Sequence, residues 1–125
     1  MTVIKKYSPS HEWIEIEGSQ GVVGITKYAQ GELGEVVYVE LPLVGKKVEV
    51  GEEVVVLEST KAASDIYAPV SGEILEVNSA LKEGQNISKL NQDPEGEGWL
   101  FKIRILPSDV ECLLTENQYR ELIHS

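Results

Sequence analysis

The stretch "VVVLESTKAASDI", residues 54–66, places a run of aliphatic residues before one lysine, Lys61, that has only small side chains beside it. A short group of valine and leucine residues bounded by polar residues is typical of a buried or half-buried β-strand. Small residues such as Thr60 and Ala62 suit a tight turn. We therefore interpret the stretch as a β-hairpin that carries Lys61 on its turn.

Strand patterns extend in both directions from this hairpin, and each is bounded by turn-forming residues. The predicted strands are "EVVYVEL" (35–41), "KKVEV" (46–50), "EVVVLES" (53–59) and "EILEVN" (73–78), with two more over 13–16 and 22–25 around the turn Gly18-Ser19-Gln20-Gly21. Trp99 is expected to anchor the last strand in the core. The composition thus predicts a mainly β domain.

One short helix is predicted within this β pattern. Thr26 is a suitable N-cap, because its hydroxyl can accept a hydrogen bond from a backbone N–H of the first helical turn. Ala29 and Leu33 then fall on one side, and Gly34 can end the helix in a left-handed conformation. We expect two turns at most.

The spacing aliphatic-x-x-Gly-x-x-aliphatic occurs twice, in "VEVGEEV" (48–54) and in "LKEGQNI" (81–87), with Lys61 between the copies. One interpretation is an internal duplication, which would give two similar sheets packed face to face. The other is chance, since such spacings recur in β proteins. The sequence leaves both open.

The C-terminal residues change to a helical pattern. Capping-box signatures at 108–111 and 115–118 each precede apolar residues at helical spacing, which predicts two short amphipathic helices. We expect residues 107–125 to form a helical cap on a single domain spanning 1–125. Cys112, in the first of these helices, is expected to be an inert thiol.

Charge and cysteine content exclude several classes of function. Eleven basic and twenty-one acidic residues give a net charge of −10, which repels nucleic acid and anionic lipid. The single cysteine and two histidines supply no zinc ligand set. No apolar run has the length of a membrane span. We expect a protein of a reducing compartment, the cytoplasm, or the mitochondrial matrix in a eukaryote.

Three roles are open to Lys61 on the residues alone. A solvated surface lysine would tolerate bulky neighbours, whereas residues 59–64 other than Lys61 are all small. A Schiff-base lysine needs a lowered pKa, and Glu58 and Asp65 nearby favour the charged form instead. The third role is an attachment point, at which the amine is acylated and a prosthetic arm extends from the turn.

Beyond these arguments, the chain closely resembles a known family. The motifs "ESTKAASD" (58–65), "PVSGE" (69–73) and "GEGW" (96–99), with "SHEW" (10–13) before them, are similar to those of the glycine cleavage system H protein. The resemblance runs from about Tyr7 to Ile123.

The resemblance implies a lipoyl-type barrel-sandwich hybrid, two packed antiparallel sheets with short helices, and lipoate in amide linkage on Lys61. It also implies a carrier without catalytic activity of its own. In such a system the carrier takes an aminomethyl group from a pyridoxal-phosphate glycine decarboxylase. It passes that group to a tetrahydrofolate-dependent aminomethyltransferase and its electrons to an FAD-containing lipoamide dehydrogenase. Lipoate-attaching enzymes are the remaining partners.

Site residues are carried over from the resemblance in two groups. Around the attachment point, the hairpin residues are Glu58, Ser59, Ala62 and Asp65. A cleft in which the arm could rest is implied at Ser10, Glu12 and Leu33. On sequence alone, Glu12 could equally be an exposed acid at the entrance of a strand.

Three related functions compete with this one. A biotin carrier normally has methionine on both sides of its lysine, where this chain has Thr60 and Ala62. A lipoyl domain of a 2-oxoacid dehydrogenase typically has aspartate before the lysine and a long flexible linker, which this chain lacks. An H-like protein that relays lipoyl or octanoyl groups to other lipoate-dependent enzymes would share the fold and Lys61, so the sequence leaves that alternative open.

Overall fold

The computed structural model describes residues 3–82, 87–105, 110 and 113–124. Within these ranges the chain forms two antiparallel sheets and four short helices. The strands are β1 (Ile4–Tyr7), β2 (Glu12–Glu17), β3 (Gln20–Ile25), β4 (Val36–Glu40), β5 (Lys47–Val48), β6 (Glu53–Ser59), β7 (Ala63–Tyr67), β8 (Gly72–Val77) and β9 (Phe101–Ile105). The helices are α1 (Lys27–Leu33), α2 (Ser79–Lys82), α3 (Ile87–Gln92) and α4 (Glu116–Ile123).

The larger sheet has the order β1-β2-β3-β9-β8-β5 and the smaller one β4-β6-β7. All of the pairings are antiparallel, both in the hairpins such as β2–β3 and β6–β7 and between strands far apart in sequence such as β3–β9. The lysine turn joins β6 to β7, and β7 is an edge strand of the smaller sheet. The predicted mainly β sandwich with short helices is confirmed.

The core lies between the two sheets and is built from the inward faces of their strands. Side chains with no exposed surface come from both sheets, including Ile14, Val23, Leu57, Ile74 and Ile103. Strand β9 is an example: its residues alternate between buried and more exposed, because successive side chains of a β-strand point to opposite faces of the sheet. Burial of this aliphatic surface is the main force that holds the hairpins together.

Helix α1 forms as the sequence predicts. Thr26 is its N-cap and accepts a hydrogen bond from the Ala29 N–H, while Gly34 ends it with a φ of +80°. Among the described residues, no helix is long and apolar enough to cross a membrane.

The two copies of the glycine spacing do not share a local structure. The first copy runs from β5 through Gly51, which has a φ of +85°, into β6. The second begins in α2 and ends in α3, with residues 83–86 outside the described ranges. Similar spacing in the two halves therefore does not mark two similar sheets.

At the C-terminus, one of the two predicted helices is confirmed. Thr115 and Gln118 form the predicted capping box of α4. The other capping signature, at 108–111, lies outside the described residues except for Val110, and so does Cys112. Leu114 pairs with Tyr7 in an isolated β-bridge, so the chain is extended there rather than helical.

A small aromatic cluster joins α4 to the start of the chain. The rings of Tyr7 and Tyr119 stack with their centroids 4.7 Å apart, and both are buried with Trp13. Trp99 is half-buried against this cluster, while Phe101 is the fully buried aromatic of β9. Trp99, which was expected to anchor the last strand in the core, thus lies at the margin of the core.

Candidate cofactor-attachment site

The turn between β6 and β7 is held by one hydroxyl group. Ser59 Oγ accepts hydrogen bonds from the Lys61 N–H at 3.1 Å and the Ala62 N–H at 3.2 Å, and it donates to the Ala62 carbonyl at 3.1 Å. The Ser59 N–H donates to the same carbonyl at 2.9 Å. A serine at this position therefore supplies the partners that a turn backbone lacks.

The turn is also fastened to the segment that follows α1. The Thr60 N–H donates to the Glu35 carbonyl at 3.0 Å, and Val36 pairs with Ser59 at the start of β4. Backbone contacts on two sides thus fix the position of the tip. The side chain of Lys61 itself remains exposed.

The end of the Lys61 side chain lies over Gly34. A Cβ atom added at Gly34 would stand 3.4 Å from Lys61 Cε and 3.8 Å from Nζ. The lysine stem therefore lies beside Gly34, at a distance where even a Cβ atom would make only ordinary van der Waals contact. An exposed primary amine with small neighbours is sterically open to an acylating enzyme, so the site fits an amide-linked prosthetic group.

The other predicted hairpin residues lie before and after Lys61 along the hairpin. Ser59 is half-buried because it braces the turn, whereas Glu58, Ala62 and Asp65 are exposed. Glu58 pairs with Ala63 across the hairpin, and Asp65 pairs with Val56 further along β7.

Ser10 and Glu12 belong to a second cluster, where the turn that contains Ser8 and Ser10 leads into β2. One carboxylate oxygen of Glu12 accepts hydrogen bonds of 2.6 Å from the hydroxyls of both Ser8 and Ser10. Glu12 is only 1% exposed, so the idea of an exposed acid is wrong. Burial raises the pKa of Glu12, and the hydrogen bonds from Ser10, Ser8 and the Tyr67 backbone oppose that rise without cancelling it.

The same carboxylate reaches the hairpin strand. Its second oxygen accepts a long hydrogen bond of 3.5 Å from the Tyr67 N–H, at the end of β7. Tyr67 and Asp65 share one face of that strand, because side chains alternate. Tyr67 lies four positions beyond Ala63, or roughly 13 Å along the strand. The structure thus brings Ser10 and Glu12 to the strand that Lys61 precedes.

Leu33 stands apart from that cluster in its contacts. It is half-buried at the end of α1 and packs against the main core. Its neighbour Gly34 is the residue beneath the Lys61 stem. Leu33 is therefore placed on the lysine side of the site.

Sequence inspection missed the backbone and side-chain partners of these residues. Ser8 carried a usable signal, since it stands two positions before Ser10 in one polar turn. The Glu35 carbonyl and the Tyr67 N–H carried none, because a backbone group has the same chemistry at every position. Their roles follow only from the packing of distant segments.

The fold and site together define a class of protein. A two-sheet β domain presents one lysine on a braced hairpin, with a buried carboxylate beside the following strand. Within the described ranges, no group of three or more potential metal ligands is found. The braced, exposed lysine on a β platform is the feature of a swinging-arm carrier domain, in which the protein supplies placement and the attached group supplies the chemistry.

Comparison with known proteins identifies the family. The sequence model of the family described as glycine cleavage H-protein matches residues 5–125. The chain is 52% identical over 119 residues to the glycine cleavage system H protein of Thermotoga maritima, covering 94% of each chain. It is 53% identical over 120 residues to the protein of the same name from Thermus thermophilus, covering 95% of this chain and 92% of that one.

A solved structure shows the same fold. The crystal structure of a glycine cleavage system H protein from Mycobacterium marinum superposes with a TM-score of 0.83 at 37% identity, with full coverage of both chains. The chain therefore belongs to the glycine cleavage H-protein family. Its members are lipoyl carriers of the glycine cleavage system and are not themselves enzymes.

Proposed function

We propose that Lys61 carries the lipoyl group, in amide linkage, and that the chain uses it to move the aminomethyl group of glycine between the enzymes of the system. The observation that supports this most directly is the braced turn, which exposes the one lysine that lies between β6 and β7. Acylation would remove the charge of the amine and leave the turn intact, since each brace uses backbone groups or Ser59.

A lipoyl group supplies a disulfide ring that can be opened, loaded and reoxidised. The work of this chain's residues is to present that group and to let it move. Four lysine methylenes and the lipoyl chain reach on the order of 12 to 14 Å. That span is enough to enter the active site of a partner enzyme.

We further propose that the arm rests along the edge of β7, near Ser10, Glu12 and Asp65, with Leu33 at the lysine end. The distance from Ala63 to Tyr67, roughly 13 Å along the strand, is comparable with the reach of the arm. A buried carboxylate such as Glu12 would attract the cationic amine of the cargo. Exclusion of water there would slow the hydrolytic loss of the cargo.

The proposed partners are a pyridoxal-phosphate glycine decarboxylase, a tetrahydrofolate-dependent aminomethyltransferase, an FAD-containing lipoamide dehydrogenase and a lipoate-attaching enzyme. Membership in the family supports this set. The net charge of −10 suits basic entrances on those enzymes, because complementary charge speeds encounter. We place the protein in the cytoplasm, which is consistent with its single cysteine and its bacterial relatives.

The test is glycine–bicarbonate exchange with a purified glycine decarboxylase and the lipoylated chain. Wild-type protein should support exchange, and Lys61→Arg should abolish it, because arginine keeps the charge but offers no amine for lipoate. Lys47→Arg, which makes the same substitution at an exposed lysine of β5, is the control and should retain activity. Lipoylated wild-type protein that is inactive here, yet donates its acyl group to a 2-oxoacid dehydrogenase, would establish the relay function instead.

A further inference from the structure

The side chain of Asn91, on α3, is bonded to the backbone of β4 in the manner of an extra strand. Its Oδ1 accepts a hydrogen bond of 2.8 Å from the Val36 N–H, and its Nδ2 donates one of 3.0 Å to the Val36 carbonyl. A single amide thus satisfies both polar backbone groups of one residue. Val36 is buried, so these groups need partners.

A second amide supports the first. Gln30 Nε2, on α1, donates to the Gly34 carbonyl at 3.2 Å and to Asn91 Oδ1 at 3.4 Å. The segment from Gly34 to Val36 is therefore held by side chains from two different helices. Residues of α1, α3 and β4 meet at this point.

Residues 34–36 support the lysine hairpin. Gly34 lies beneath the Lys61 stem, the Glu35 carbonyl accepts the Thr60 N–H, and Val36 pairs with Ser59. A shift of residues 34–36 would therefore displace the turn. A hairpin tip without such support opens easily, because few buried contacts hold it.

We propose that Asn91, with Gln30 behind it, is a positioning residue for the acceptor lysine. It acts through Val36 and Glu35 to keep the turn in the conformation that a lipoate-attaching enzyme recognises. This inference rests on the proposed function, since it requires Lys61 to be the residue modified. The hydrogen bonds of Asn91 go to Val36 and Gln30.

The effect on kinetics follows from the population of the competent turn. If the enzyme binds only the ordered turn, a variant that orders it a fraction of the time shows a KM raised by the inverse of that fraction, with kcat unchanged. A merely structural residue would lower the melting temperature without changing KM while the protein stays folded. The split between KM and kcat therefore separates the two roles.

The experiment measures attachment of lipoate to the unmodified full chain by a purified lipoate ligase, well below the melting temperature of every variant. Asn91→Ala should raise KM for the protein by about three- to tenfold and leave kcat within about a factor of two. Gln92→Ala, an exposed amide next in sequence on the same helix, is the control and should match wild type. Asn91→Asp keeps the acceptor but sets a second carboxylate oxygen against the Val36 carbonyl, where two acceptors repel, so it should raise KM at least as much as Asn91→Ala.

Amide hydrogen exchange supplies an independent readout. Asn91→Ala should speed exchange at Thr60 and Val36, while Ile14 in the core keeps its protection. If Asn91→Ala does not fold, Gln30→Ala, which removes only the supporting amide, should show the same pattern in weaker form.

Two failures are distinguishable. If wild-type protein is modified at Lys61 and Asn91→Ala has the wild-type KM, the positioning role is wrong and the proposed function stands. If wild-type protein is not modified at Lys61, the positioning role and the proposed function are both wrong.

Discussion

Gly34 combines an unusual backbone conformation with a position next to the Lys61 side chain. Its φ of +80° and ψ of −155° lie in a region that residues with a side chain rarely adopt. A Cβ atom there would lie in ordinary van der Waals contact with the Lys61 stem, 3.4 Å from Cε. One glycine therefore ends α1 and lies against the lysine stem.

We predict that Gly34→Ala lowers the free energy of unfolding by about 1–3 kcal/mol, because alanine must adopt that strained conformation. Gly31→Ala is the matched control in the same helix, where an added Cβ meets nothing within 4 Å. It should raise stability by about 0.5–1 kcal/mol through helix propensity. Urea denaturation measures both, and equal effects at the two glycines would contradict the account.

Glu12 is the residue whose ionisation is coupled to folding. Burial raises its pKa in the folded state above that in the unfolded chain, despite the hydrogen bonds from Ser10, Ser8 and the Tyr67 backbone. The folded protein therefore binds this proton more tightly than the unfolded chain. The stability that Glu12 contributes is fully present below the unfolded pKa and is lost as pH rises through the folded one.

The matching prediction concerns Glu12→Gln, which cannot titrate. The free energy of unfolding of wild type minus that of the variant should fall as pH rises from about 4 to about 7. Carboxylates common to both proteins cancel in this difference. Urea denaturation at several pH values provides the measurement, and a difference that grows with pH would show that hydrogen bonding outweighs burial at this site.

At the scale of elements, the two N-caps differ in what they hold. Thr26 is buried, accepts the Ala29 N–H and shares a hydrogen bond of 2.7 Å with the Tyr119 hydroxyl. It thereby ties α1 to α4. Thr115 is exposed and forms a capping box within α4 alone.

Thr26→Ala should therefore cost about 2 kcal/mol or more, since it removes a cap and a buried partner of Tyr119. Thr115→Ala should cost about 1 kcal/mol or less, because water can replace the lost partner of an exposed cap. Thermal and chemical unfolding compare the two threonines directly. A larger loss at Thr115 would mean that the buried bond to Tyr119 contributes little.

Elements with a local signal were predicted well from sequence, and those without one were not. Thr26, Gly34 and the Thr115 capping box each rest on a physical preference that acts within a few residues. Strand β1 was missed, because Ile4–Tyr7 contains two lysines and no clear alternation. Its strand character comes from pairing with β2. Of the two interpretations of the repeated glycine spacing, chance is the one that the structure supports, because the second copy begins in α2 and ends in α3.

Across the whole molecule, the two-sheet sandwich followed from its aliphatic strands and from the family resemblance. The exposed position of Lys61 was also foreseen, because small neighbours imply an open turn. The support beneath it was not, since Asn91 lies 55 positions from the Val36 that it bonds. Long-range polar contacts of this kind have no signature in a single sequence.

The burial of Glu12 illustrates the same limit. In composition and spacing it is one of twenty-one acids, and only the family resemblance singled it out. In the fold it is enclosed by the Ser8–Ser10 turn and the end of β7. Whether such a carboxylate is solvated depends on segments far apart in the chain.

The central claim is that Lys61 is the acceptor of a lipoyl group, and peptide mapping by mass spectrometry tests it most directly. Protein produced in cells that attach lipoate should gain about 188 Da, the mass of one lipoyl amide, with the added mass on the peptide that contains Lys61. Lys61→Arg produced in the same cells should remain folded and unmodified. Wild-type protein that gains no such mass, or that carries it on another residue, would contradict the account.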